Sequence, residues 1–145
     1  MPEPAELSPK DAHTLLSQDP STTYVDVRSS QEFAGGHVPG SINVPLAQID
    51  AFGRMIPNPE FGSVMGLLFR KDQRLIVGCA SGGRSRQACQ ILAADGFTAV
   101  TNMAGGFQGG RGPFGIVPGW AQCGLPVATD GTTWDQARAK ASPAS

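Results

Sequence analysis

The stretch RLIVGCASGGRSRQACQILAADG, from Arg74 to Gly96, constrains the fold more than any other part of the chain. Its opening, Leu75-Ile76-Val77, is an unbroken apolar run between Arg74 and Gly78. Such a run suits a central strand covered on both faces, which is the setting of a parallel sheet. Beyond it, Ala88, Ile91 and Leu92 share one face of a helical pattern that runs from Arg84 or Ser85 to Asp95. Gly96 follows as the residue that ends the helix. A buried strand passing into a helix through a short glycine-containing loop implies an α/β domain with strands and helices in alternation.

The rest of the chain repeats that alternation. Ser8-Pro9-Lys10-Asp11 reads as a helix start, with Ser8 capping, Pro9 at the first helical position and Asp11 in the first turn. The pattern TTYVDV, 22–27, predicts a strand. A short helix capped by Ser29 or Ser30 should stop at Gly35-Gly36. Ile42-Asn43-Val44 reads as a brief strand, 46–52 as helical, 53–62 as irregular and 63–69 as a helix. TAVT, 98–101, is a further strand, and the Gly-rich stretch 105–119 reads as loop. Trp120 opens a short ordered piece ending near Val127, and Trp134 to Lys140 has the pattern of a helical turn. The expected organisation is one domain over 5–128 and a small, polar, partly disordered tail over 129–145.

The chemistry is concentrated between the central strand and its helix. Cys79 stands at the carboxyl end of the strand, where open parallel sheets bind ligands. Ala80, Ser81, Gly82, Gly83, Arg84 and Ser85 carry the chain into the helix. The helix start aims backbone N–H groups at this loop, and paired glycines let more of them turn inward. A bowl of this kind favours an anion, so a thiolate at its centre is a candidate nucleophile. Arg84 is a candidate for adding positive charge or for tying the loop down. Cys89 sits on the helix beside Ala88 and Leu92 and reads as core, while Cys123 precedes a turn.

Composition removes several classes of function. Lys plus Arg number 11 against 12 Asp plus Glu, without the basic excess of a nucleic-acid binder. Three widely spaced cysteines form neither a disulfide framework nor a zinc motif, and with His13 and His37 the only histidines no metal site is expected. No apolar run approaches the ~18 residues of a membrane span. The reading is a cytoplasmic protein without cofactor, metal, nucleic acid or membrane partner.

Taken in order, several segments resemble the rhodanese family. Tyr24-Val25-Asp26-Val27-Arg28 followed by Glu32-Phe33 resembles its "DVR…EF" opening. Gly36-His37-Val38-Pro39-Gly40-Ser41-Ile42-Asn43-Val44-Pro45 resembles "GHIPGAINIP". Cys79-Ala80-Ser81-Gly82-Gly83-Arg84-Ser85 resembles the active-site loop, and 96–107, ending Gly105-Gly106-Phe107, resembles "GF…V…L.GG". The resemblance spans 8–127, and 58–69 looks most like small single-domain bacterial and plant members. It implies a five-stranded, mostly parallel sheet flanked by helices on both faces. It also implies a Cys79 persulfide formed from a sulfane-sulfur donor such as thiosulfate and discharged to cyanide, a thiol or an acceptor protein. By the same resemblance Asp26, Arg28 and Glu32 brace the site, with Arg28 paired to Glu32, and His37 holds its loop by hydrogen bonds.

The chain departs from the family after Phe107, where a Gly-rich insertion over 109–118 delays Trp120. This insertion is a candidate border of the active site. Two other readings use the same scaffold: a binding module without catalysis, and a phosphatase or arsenate reductase. The latter have one more residue between cysteine and arginine than the four found here. A phosphate-binding loop reading of Gly78-x-x-x-x-Gly83-Arg84-Ser85 fails on Arg84, which stands where lysine is required.

Overall fold

The computed structural model describes residues 5–81, 83–112 and 115–141. Leu75-Ile76-Val77 takes the central position that its composition demands. Strand β6 (Leu75–Gly78) is wholly buried and lies between β2 (Thr23–Asp26) and β7 (Val100–Met103), parallel to both. The sheet is completed by β1 (Ala5–Leu7) beside β7 and β3 (Ile42–Asn43) beside β2, all in parallel, in the order β1-β7-β6-β2-β3. The predicted α/β class and five-stranded sheet are therefore found.

Alternate residues of these strands feed two cores, as a period of two requires. Val25, Leu75 and Val77 face helices α3 (Phe61–Leu68), α4 (Gly83–Ala94) and α5 (Trp134–Ala141) through Phe61, Met65, Ala88, Leu92 and Trp134. Tyr24, Ile76 and Met103 face α1 (Pro9–Gln18) through Ala12, with Trp120 in the same cluster. Burying each large apolar side chain is worth about 1.5–3 kcal/mol, so β6 is the most firmly held element that leads to the site. Local signals agree. The Ser8 hydroxyl accepts from the Asp11 N–H, and Ser29 with Glu32 forms a capping box at α2 (Ser30–Ala34).

Three expectations are corrected, and one strand is added. The segment 46–52 is not helical: β4 (Ala47–Ile49) pairs antiparallel with β5 (Met55–Pro57). Asp50 decides this, because its carboxylate accepts from the Phe52 and Arg54 N–H groups and closes a turn. The stretch 105–119 is not all loop, since β8 (Gly110–Gly112) and β9 (Gly115–Val117) form a second hairpin. The acidic N-terminal segment supplies β1, a strand that only its partner β7 reveals. Residues beyond 128 are part of the packed unit. Thr132 hydrogen-bonds to Ser41 and Asn43, and α5 buries Trp134, Ala137 and Ala141 at helical spacing. A frayed end is expected over 141–145; Ala141 instead closes α5 and is buried, and 142–145 lie outside the described residues.

Candidate active site at the Cys79 loop

Cys79 follows β6 directly and is buried, with 1 % of its surface exposed. The last residue of the strand, Gly78, leaves room for a neighbouring side chain. A Cβ there would lie 1.7 Å from the Tyr24 hydroxyl, whose ring crosses the backbone at that point. Burial, more than the nearby Asp26 and Cys79, pushes the Tyr24 phenol well above its ordinary value and keeps it protonated. After Cys79, Ala80 is half-buried and Ser81 exposed, and α4 begins at Gly83. The start of α4 brings the positive end of the helix dipole to the loop. The expected contribution of Gly82 lies outside the described residues.

Three sets of contacts hold this loop. Arg84 donates from both terminal nitrogens to Glu32, at 2.7 and 3.0 Å, so α4 is clamped to α2. Burial alone would raise the Glu32 carboxyl. The hydrogen bonds from Arg84 and Ser29, with the Arg84 charge, outweigh it and bring the carboxyl down from 4.5 to about 2. Arg28 does not pair with Glu32. Its guanidinium donates to Asp26 at 2.8–3.1 Å and to the Gly36 carbonyl at 2.7 Å, deep in the protein. The reason is geometric: Arg28 turns back beside its own strand, and Glu32 is already engaged by Ser29 and Arg84.

The second set is backbone to backbone. The Phe107 N–H donates to the Cys79 carbonyl at 2.7 Å and the Gln108 N–H to the Ala80 carbonyl at 2.8 Å. Gly106 allows this approach, having a φ of +60° and no Cβ to strike the Cys79–Ala80 peptide. The guanidinium of Arg28 lies 4.5 Å over the Phe107 ring, which links the Asp26–Arg28 pair to the same loop. Hairpin β8–β9 continues along this border, and a Cβ on Gly110 would come within 2.8 Å of the Ser81 carbonyl. The insertion therefore does border the Cys79 loop.

The third set supports the first turn of α4 from below. The buried Ser85 hydroxyl donates to Asn102 Oδ1, and Asn102 Nδ2 donates to Glu6 at 2.8 Å. Arg86 also donates to Glu6, and that hydrogen bond is the main reason its carboxyl lies below the usual range. Neither Glu6 nor Asn102 carries a local sequence signal for this role, because β1 and β7 meet only in the folded sheet. Gly106 and Phe107 were visible only as part of a resemblance.

The remaining candidates stand apart from this chemistry. Burial pushes the Cys89 thiol up to about 12, so it stays protonated in the core. His37 stacks on Phe33 at 3.7 Å and accepts from the Gly131 N–H at Nε2, which leaves Nδ1–H to donate to the Phe33 carbonyl. Both ring nitrogens are thus committed to holding structure, as expected. No group of metal-binding side chains occurs among the described residues.

Comparison with known proteins agrees with this architecture. The model of the rhodanese-like domain matches residues 8–112. The chain belongs to the rhodanese-like domain family. It is 39 % identical over 124 residues to an Arabidopsis thaliana protein named thiosulfate sulfurtransferase 16, covering 86 % of this chain and 92 % of the relative. A second Arabidopsis thaliana protein, thiosulfate sulfurtransferase 18, is 34 % identical, with 82 % and 79 % covered. Among solved structures, one from M. tuberculosis aligns with a TM-score of 0.72 at 26 % identity, covering 88 % of this chain and 99 % of that one. Within this rhodanese-like domain, the family match ends at Gly112, inside hairpin β8–β9.

Proposed function

We propose that this rhodanese-like domain is a sulfurtransferase that carries a sulfane sulfur on Cys79, taking it from thiosulfate or a persulfide donor and passing it to cyanide or a thiol. The family match and the relatives named thiosulfate sulfurtransferase support sulfurtransferase activity in general. The observation that carries the reading for Cys79 is its place at the end of β6, in a loop immobilised by Arg84–Glu32 on one side and by Phe107 and Gln108 on the other. A nucleophile needs such fixed geometry to meet its target in line.

In the first step the Cys79 thiolate attacks the outer sulfur of thiosulfate. The sulfur–sulfur bond of the donor breaks, and sulfite leaves with the electron pair. In the second step the acceptor attacks the outer sulfur of the Cys79 persulfide, and the electron pair of that bond returns to Sγ as thiolate. In this reading Ala80, Ser81 and the start of α4 at Gly83 flank the transferred sulfur, Arg84 and Ser85 anchor the first turn of α4, and Asp26, Arg28 and Glu32 act through position. Mass spectrometry after incubation with thiosulfate tests the scheme. One added sulfur on Cys79, absent in Cys79→Ser and present in Cys89→Ser and Cys123→Ser, is expected. A protein that stays unmodified would be a binding module instead. Turnover of an aryl phosphate or of arsenate would point to the oxyanion chemistry of related scaffolds.

A further inference from the structure

A groove with a volume of about 510 Å³ opens beside the catalytic loop. One wall is α4, which presents Arg84, Gln87 and Ile91 on a single face at spacings of three and four residues. The other walls are α3, through Phe61, and hairpin β4–β5, through Met55 and Pro57, with Leu46 between them. From Arg84 to Ile91 the helix rises roughly 10 Å. No acidic side chain lines the groove among the described residues, and its one charged lining group is the Arg84 guanidinium. Glu32 takes one N–H from each terminal nitrogen, so three of the five donors of Arg84 are not used by that pair.

Thiosulfate and cyanide have no apolar body and make no use of such walls. Pockets of roughly 300–1,000 Å³ with apolar walls and a few polar groups are the size of small-molecule sites. We infer that this groove is the acceptor subsite and takes a small thiol with an aromatic or aliphatic body, its thiolate at the Arg84 end and its body along Phe61, Met55 and Ile91. The inference rests on the sulfurtransferase reading above. The complementarity is of two kinds: hydrogen-bond donors at the end shared with the catalytic loop meet the anionic sulfur, and apolar walls meet the carbon body. The step itself needs no added reagent. The bound thiolate attacks the outer sulfur of the Cys79 persulfide, that sulfur–sulfur bond breaks, its electron pair remains on Cys79 Sγ, and the thiol leaves as its own persulfide.

The experiment uses protein loaded with thiosulfate and discharged by benzyl mercaptan, 2-mercaptoethanol or cyanide. The parent is compared with Met55→Glu and Gln87→Trp, two exposed positions on different walls. The parent should discharge roughly tenfold faster to benzyl mercaptan than to 2-mercaptoethanol, the discrimination a hydrophobic pocket gives for a small difference in carbon body. Both variants should bring that ratio close to unity. Equal rates in the parent, or a ratio that survives both substitutions, overturns the inference. Benzyl alcohol, which has the same body and cannot accept sulfur, is titrated in parallel while the methyl resonances of Met55 and Ile91 are followed. Saturable shifts are expected whether or not Cys79 loads. Shifts without loading would refute sulfur transfer and leave the groove as a binding site, while a complete lack of shifts overturns the groove.

Discussion

Replacing Gly106 by alanine should silence the protein with only part of its stability lost. The new Cβ would stand 2.4 Å from the Cys79 carbonyl oxygen and 2.7 Å from the carbonyl carbon of Ala80. Ordinary contact begins near 3.4 Å, so the Cys79 carbonyl must retreat by about 1 Å and the Ala80 carbonyl by about 0.7 Å. That retreat stretches the hydrogen bonds from Phe107 and Gln108, each worth about 0.5–1.5 kcal/mol. The left-handed φ of +60° adds about 1–2 kcal/mol for any residue with a Cβ. A loss of about 3 kcal/mol is expected, within reach of a small domain with about 5–15 kcal/mol in hand. Activity should fall further, because a 1 Å misplacement at a reacting group costs about a hundredfold. The control is Gly105→Ala on the same loop, with a φ of +77° and a Cβ 2.5 Å from the Pro118 carbonyl. It carries similar strain but pushes on the insertion and not on Cys79. Urea unfolding and the rate of sulfur transfer from thiosulfate to cyanide are measured on both, with rates expressed per folded molecule. Equal loss of activity in the two variants, or a fully active Gly106→Ala, would refute the claim that this contact places Cys79.

Further outcomes follow from the clamps around the loop. Glu32→Gln should cost about 1–2 kcal/mol at neutral pH, a value discounted for the partial exposure of the pair. Because the Glu32 carboxyl is lowered from 4.5 to about 2, the contribution is complete above pH 4.5 and fades as the pH falls through about 2. Denaturation curves of both proteins should therefore converge in strong acid, and a gap that persists there would assign the loss to packing. Arg28→Ala leaves the buried Asp26 carboxylate without its partner and should cost about 3–5 kcal/mol, seen as a large drop in Tm, whereas a near-neutral effect would mean that the pair does not brace the site. Trp134→Ala removes the large anchor of α5 and should cost about 3–5 kcal/mol, so a stability close to the parent's would return residues beyond 128 to the status of a tail.

Much of this protein is determined locally. Leu75-Ile76-Val77 and the helical face of Ala88, Ile91 and Leu92 announce a buried strand and its crossover helix, because apolar periodicity is set within a few residues. The caps at Ser8 and Ser29 are equally local, each being a side chain bonded to a backbone group three residues away. The placement of Cys79 between strand and helix comes from the same segment. The helical pattern of 46–52 gives way to hairpin β4–β5 because the turn is closed by Asp50 bonding across to Arg54. What only the tertiary structure decided is which distant groups meet the loop. Glu32 turns to Arg84 and not to Arg28, across 52 residues; Glu6 reaches Asn102 across 96; Phe107 and Gln108 grip the peptide after Cys79. Such pairings are set by strand order and by the packing of helices on the sheet, and spacing along the chain carries no record of either. The sequence by itself determined the position of Cys79 between strand and helix, and the folded sheet determined what holds it in place and what lies beside it.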